Sequence, residues 1–453
     1  MDRTSSGGSS FRRHSFTLPC HLIHQIDDGA GRDSISEAGD IGDRAISRRY
    51  SESSSVHMSC DHMSENGAVV SIPVDDSLQQ YPAVWNTVSD VTPLPPELIS
   101  PLSTDALKGS EDMKQELNKK LPKLLEYVSC LIQLAVFGIL GVLTRYLLQR
   151  LFGPDIAGAT SDQSYAYLDL PSNMVGSFLM GWFGVVFKDD ISRVSDHLAI
   201  ALSTGYLGSL TTFSSWNQKM LDLSVAGHWL FCVLGFLLGM MLVASSISLG
   251  IETAKGLKWV VNRQKICSGN GIWCSRINWK VDSCRRQLAV MVFFLLILAF
   301  LWGASGTLVK AEFNSGGSGA QLWFACMVGP IGVWIRWYLA RLNGYGLGRA
   351  GLLKWIPFGT LIANVSAACV MAALAIVKKA INTKTCDTVA TGIQFGLLGC
   401  LSTVSTFAAE FHARRESMHP WRAYVYAMIT FSASFGLGTL IYSVPVWTRG
   451  YEK

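Results

Sequence analysis

Two stretches of this chain place glycines and consecutive hydroxyl residues inside runs otherwise apolar enough to cross a membrane. The first is Gly205-Tyr206-Leu207-Gly208-Ser209-Leu210-Thr211-Thr212-Phe213-Ser214-Ser215-Trp216. The second is Gly396-Leu397-Leu398-Gly399-Cys400-Leu401-Ser402-Thr403-Val404-Ser405-Thr406-Phe407. Such a composition loosens a helix in mid-membrane. A break there is tolerated only where the freed backbone faces protein, an ion or a water-filled path. One copy alone reads equally well as a kink made for packing; two copies in register do not.

The register is a single offset. Arg145 and Arg336 are 191 positions apart, as are Asn173 and Asn364, and Gly208 and Gly399. Around the first pair, Gly138-Ile139-Leu140-Gly141-Val142-Leu143-Thr144-Arg145-Tyr146 answers Gly329-Pro330-Ile331-Gly332-Val333-Trp334-Ile335-Arg336-Trp337. An offset that holds from the first helix to the third leaves no net insertion between the marks. The chain carries a duplicated membrane unit, a common build of transport proteins.

A polar stripe lies near the end of the second copy. Tyr426, Thr430 and Ser434 recur at i, i+4 and i+8, on one helical face. The matching positions of the first copy are Gly235, Gly239 and Val243, and Glu410 is answered by Lys219. The plain alternative is hydroxyls bonding the backbone of their own helix.

The elements that must position these residues are membrane helices. The chain has 453 residues, 49% hydrophobic and only 16% charged, a membrane composition diluted by a polar N-terminal region. Residues 1–120 are rich in Ser and Asp, without apolar periodicity, and are expected to form a disordered cytoplasmic tail. No apolar core follows the early arginines, so no secretory signal is read there. Arg12-Arg13-His14-Ser15 and Arg48-Arg49-Tyr50-Ser51 resemble basic-directed phosphorylation sites as much as ordinary solvated charge.

The net charge of +5 sits at loops and not on one face, so no nucleic-acid partner is expected. Cys267, Cys274 and Cys284 share a loop without a CxxC pair or matched histidine, and read as free thiols, not a zinc site. No Walker-type glycine loop with lysine occurs, and the chain is not expected to be an enzyme.

Apolar runs of spanning length fall near residues 127–148, 168–187, 198–216, 229–249, 288–309, 322–339, 355–377, 392–411 and 421–444. That is about nine spans: four, one connector, four. Lys255, Lys258, Arg263, Lys265, Arg276, Lys280, Arg285 and Arg286 place the loop before the connector in the cytoplasm. Lys114, Lys119, Lys120 and Lys123 place the tail there too, and Arg341, Arg349, Lys354, Arg414, Arg415 and Arg422 fit the same pattern. The loop from Lys378-Lys379 to Asp387 does not. The predicted fold is an all-α membrane protein: two inverted four-helix repeats joined by one connector helix, behind a disordered tail. Its parts are the tail 1–120, an N-terminal domain 121–250, a basic loop and connector 251–310, and a C-terminal domain 311–453.

At this point a resemblance enters. Gly-x-x-Gly-x-x-x-Arg with an aromatic in a first helix, an asparagine in a second (followed in the first copy by Val175-Gly176-Ser177-Phe178), and Thr-Thr-Phe-Ser in a broken third resemble the fluoride channels. Those are four-helix subunits that pair antiparallel, and the two-domain eukaryotic fluoride exporters resemble a fusion of two of them through an extra helix. The match covers about 127–444. No single motif is decisive; the ordered set, twice, is specific.

The resemblance implies site residues. Two phenylalanines three apart on the broken helix line each path, the first from one unit and the second from the other. Here the first is Phe213 but Val404, and the second Trp216 but Phe407. Phe213 and Phe407 then share one intact path, and Val404 with Trp216 mark a degraded one. A ring edge carries partial positive charge and can meet a small anion. The family's hydroxyl track and glutamate match Thr406, Glu410, Tyr426, Thr430 and Ser434, kept in one repeat only.

Asn173 and Asn364 either donate to fluoride or brace the break, since an amide in a span needs a partner. The first repeat departs around its asparagine, with Leu168-Asp169-Leu170-Pro171-Ser172 where the second has Gly359-Thr360-Leu361. Arg145 and Arg336 read as vestibule charges or as side chains snorkelling to the interface. Carbonyls of Gly208, Thr211, Gly399 and Ser402 are expected to hold a structural sodium ion at the interface of the halves.

The function implied is a passive, fluoride-selective export channel of a plasma membrane, a monomer acting as a pseudo-dimer, with fluoride and lipid as its partners. Two other readings remain: a proton-coupled small-molecule transporter using Glu410, and a membrane scaffold whose tail recruits partners.

Overall fold

In a computed structural model the protein is described over residues 122–161, 166–267, 284–313, 318–346 and 353–450. The tail with its two Arg-Arg-x-Ser pieces, and the middle of the cysteine-bearing loop, lie outside those residues.

Every regular element described is helical. The first repeat comprises α1 (Lys123–Phe152), α2 (Leu170–Val186), α3 (Lys188–Val194), α4 (196–210), α5 (Ser214–Val225) and α6 (Trp229–Cys267). The connector is α7 (Cys284–Glu312). The second repeat comprises α8 (Ser318–Ala340), α9 (Phe358–Ile381), α10 (384–401), α11 (Ser405–Arg415) and α12 (Trp421–Arg449). α4–α5 and α10–α11 are the two broken helices. Each opens into wide i→i+5 turns, at Ala201–Leu207 and Gln394–Leu398, just before it breaks. The interruptions are 211–213 and 402–404, with Thr211 and Ser402 both extended.

Seven described helices are long and apolar enough to cross a membrane, and α2 with α3 makes an eighth if that pair, bent by 65°, is one span. The reading of about nine differs at α4–α5. There neither α4, from 196 to 210, nor the 12 residues of α5 is long enough to cross alone.

The two repeats embrace reciprocally. α1 and α8 pack together at the centre, α5 reaches across to α9 and α12, and α11 reaches back to α2 and α6. Counted with the broken α4–α5 as one crossing, four crossings and a connector separate equivalent helices, an odd number, which inverts the second repeat. The glycine spacing explains how the first helices approach. A Cβ on Gly141 would lie 2.6 Å from the Tyr206 carbonyl oxygen, and one on Gly332 would lie 2.1 Å from that of Leu397. Each first helix therefore rests directly on the backbone of its own broken helix. α7 packs on α1 and α8 and turns Phe293, Leu296 and Phe300 outward, as a lipid-facing helix would.

Candidate ion pathway at the broken helices

At each interruption one peptide loses its helical partners, and a buried asparagine replaces them. Asn173 Nδ2 donates to the Thr212 carbonyl at 3.1 Å, and its Oδ1 accepts from Thr212 N at 2.8 Å. Asn364 makes the same pair with Thr403, at 3.1 and 2.8 Å. Identical geometry 191 residues apart shows the register in three dimensions. Both amides brace the break. The altered approach at Asp169 and Pro171 does not disturb Asn173, which gains a further bond from Nδ2 to the Tyr167 hydroxyl at 3.1 Å.

The second arm of each broken helix begins with unpaired N–H groups, and each is capped from the opposite repeat. Thr211 Oγ1 accepts from Val404 N at 3.1 Å and Ser405 N at 3.0 Å. Ser402 Oγ accepts from Phe213 N at 3.2 Å and Ser214 N at 3.1 Å. A hydroxyl at a helix start satisfies orphan donors; here the cap also ties the halves together. Thr406 adds a local contact, its N–H meeting Thr403 Oγ1 at 3.4 Å. Two helix N-termini thus meet in the protein's centre and polarise it positively.

Arg145 and Arg336 strengthen that field, but not from a vestibule. Both are buried, at 0% and 4% exposure. α1 runs on to Phe152, so Arg145 lies two turns inside its end and not at the membrane surface. Each guanidinium crosses to the other repeat. Arg145 donates to the Phe395 carbonyl and lies 4.3 Å from the centre of that ring. Arg336 donates to the Thr204 carbonyl, to that of Gly208 at 2.6 Å and to that of Ser402 at 3.2 Å. Gly208 and Ser402 are two of the four carbonyls expected to hold sodium. A guanidinium already donates to both.

Phe213 and Phe407, from opposite repeats, are fully buried with ring centres 6.2 Å apart. They face one another and not lipid. Phe431 of α12 packs against both, at 5.6 and 5.9 Å, and Tyr426 lies 5.2 Å from Phe407. Phe431 was absent from the residues picked out by sequence, because an apolar aromatic in an apolar helix carries no signal of its own.

The polar stripe is buried beside these rings. Tyr426, Thr430, Ser434 and Glu410 are all at 0% exposure. Their hydrogens are unequally available. Tyr426 donates to Glu410 Oε2 at 2.8 Å, and Thr430 donates to the Tyr426 carbonyl at 2.9 Å. Ser434 Oγ has no partner among the described residues. Glu410 also accepts from Thr360 at 2.6 Å and Asn343 at 3.3 Å, and Arg414 donates to its backbone carbonyl at 2.7 Å. Asn343, Thr360 and Arg414 complete a buried polar cluster that the sequence reading missed, since they come from α8's end, α9 and α11.

Across the interface the matched positions are filled. Trp216 is buried, stacked on Tyr167 with centres 5.8 Å apart, and packed against Gly239. A Cβ on Gly239 would lie 2.5 Å from the indole. The tryptophan occupies the space that a hydroxyl residue takes at Thr430. Val404 joins the same apolar cluster.

Comparison with known proteins identifies the family. The family described as CrcB-like protein, Camphor Resistance (CrcB), matches residues 132–251 and again 323–442. A protein of Geobacter metallireducens named fluoride-specific ion channel FluC is 32% identical over 130 residues, 28% of this chain and 98% of its own length. Its namesake in Geotalea uraniireducens is 34% identical over 130 residues, 28% and 97% of the two chains. Fluoride-specific ion channel FluC 2 of Listeria monocytogenes is 36% identical over 103 residues, 22% and 72% of the two chains. No solved structure matches. The chain belongs to the CrcB family and carries two of its domains in one polypeptide.

Proposed function

We propose that this protein is a fluoride channel that lets fluoride leave the cytoplasm passively across the plasma membrane, through one path. The observation that carries the reading is the pairing of Phe213 with Phe407 across the repeats beside a buried polar face, while Trp216 and Val404 fill the matched position. The tail and the turn between α11 and α12, flanked by Arg414, Arg415 and Arg422, face the cytoplasm in this reading.

Fluoride is small and strongly hydrated, so it enters only where donors replace its water. Ring edges of Phe213 and Phe407 supply partial positive charge without a countercharge that would trap the ion. The free hydroxyl of Ser434 supplies a donor, and the Tyr426 hydroxyl becomes one when it turns from Glu410. Buried guanidiniums and two helix N-termini raise the potential at the centre. An inside-negative membrane then drives the anion outward at about 2.3 kcal/mol per 100 mV, which confers resistance to fluoride without fuel.

The test is the purified chain in liposomes with a fluoride electrode, run against chloride. Fluoride efflux without chloride efflux is expected. Equal passage of both ions, or transport that needs a proton gradient, would overturn the reading.

A further inference from the structure

The polar face of α12 does not stop at Ser434. Two turns on, Tyr442 borders a cavity of about 710 Å³ together with Gln218, Asp222, Lys378, Lys379 and Gln394. Tyr442 is buried and lines the cavity beside Asp222, whose carboxylate accepts from Gln218 Nε2 at 3.1 Å. Lys378 is committed to Asp387 and Thr391, at 2.8 and 2.7 Å. Lys379 is not: its Nζ stands 5.5 Å from the Tyr442 ring centre and makes no hydrogen bond among the described residues.

Between this cavity and the facing phenylalanines lie two buried polar atoms without partners, Ser434 Oγ and Asn217 Oδ1. Asn217 Nδ2 donates to the Ser434 carbonyl at 3.4 Å, so the two line one seam.

Positions 191 away from Gln218, Asp222, Tyr442 and Lys378 are Ala409, Ala413, Ile251 and Phe187, while Lys379 and Gln394 are answered by Lys188 and Ser203. The tyrosine and the aspartate are therefore confined to the side with the intact ring pair. Lys378 and Lys379 are also the residues that break the rule placing positive charge inside. A cation kept on the wrong side of a membrane calls for a reason, and a passing anion is one.

We infer that this cavity is the outer anion station of the path, where fluoride leaving the ring gap takes the Tyr442 hydroxyl and the charge of Lys379. The inference rests on the single-path fluoride reading. No covalent step is involved: the phenol keeps its proton and donates to the passing fluoride. Asp222 stands beside it, and its own charge keeps fluoride from lingering, as conduction requires.

Efflux from liposomes holding the full chain tests this, with Phe407→Ile measured beside every variant. Tyr442→Phe should slow efflux about tenfold, the worth of one hydrogen bond to an ion. Lys379→Gln should slow it about threefold, as for a partly screened charge. Asp222→Asn should lower the outer fluoride concentration that half-saturates uptake, and leave the inner value unchanged. A merely structural aspartate would shift both sides alike or neither. Loss at Phe407 with full efflux in Tyr442→Phe and Lys379→Gln overturns the station and leaves the path standing. Loss in both of those with none at Phe407 does the reverse.

Discussion

The two sides of the central interface are built from matched positions and filled differently. Where the positions set backbone, both sides agree in kind: Asn173 with Asn364, Gly141 with Gly332, Thr211 with Ser402. Where side chains face the path, they diverge. One side has Phe213, Phe407, Tyr426 and Thr430; the other has Val404, Trp216, Gly235 and Gly239. The break in each helix is therefore a scaffold that both repeats still need, because each caps the other. The lining is separable from it. In the single-path reading, one indole fills the second path while the fold around it stays intact.

The sharpest way to break that comparison is at the rings. Phe407→Ile and Phe213→Ile should each cut fluoride efflux at least about 1000-fold, roughly 4 kcal/mol of barrier. Trp216→Ile should leave it within about twofold, since the change alters a filled side. Equal loss at Trp216, measured with the same electrode, would mean that both sides conduct.

The arginines come next, and here the sides differ in the scaffold itself. Arg336 donates to three carbonyls, Arg145 to one. Arg336→Met orphans more buried acceptors, so thermal or denaturant unfolding in detergent should show it costlier than Arg145→Met by about 3 kcal/mol. Equal losses would show that the central charges act as a matched pair.

The asparagines should behave alike. Asn173→Ala and Asn364→Ala each remove the two hydrogen bonds that hold the broken peptide, a shared cost of about 2 kcal/mol or more, and Asn173→Ala loses one more, to the Tyr167 hydroxyl. Melting curves that differ widely between the two would contradict a symmetric scaffold.

How much of this was legible follows from what a register can carry. The offset of 191 needed only residue types, and it located the broken helices and both asparagines; the ring pair followed from the resemblance to the fluoride channels. It could not say where a long side chain ends. Arg145 on a helix drawn as 127–148 looks terminal; on α1, which runs from Lys123 to Phe152, it is interior and reaches the other repeat. Nor could it extend the polar stripe. From Tyr426 to Tyr442 a regular helix drifts by roughly 160°, at about 100° per residue, so periodicity puts Tyr442 off the face. The i→i+5 turn at Thr439–Ser443 takes up part of that drift. Asp222 and Lys379 come from other elements altogether, and only packing brings them together.

The smallest effect is the most diagnostic, because its sign is at stake. Gly239 lies inside α6, where alanine is favoured over glycine by about 1 kcal/mol if there is room. There is none: the added carbon would lie 2.5 Å from the Trp216 indole and 2.9 Å from its next atom. Overpacking a buried site costs about 1–3 kcal/mol, which outweighs the helix gain. Gly239→Ala should therefore destabilise the protein by up to about 2 kcal/mol in unfolding measurements. With Trp216→Phe already present the clash is gone, and the same change should become neutral or stabilising. The two changes touch and must not add. A Gly239→Ala that stabilises the unmodified chain would show that the indole does not fill the second path, and the contrast between the sides would then have to rest on Val404 alone.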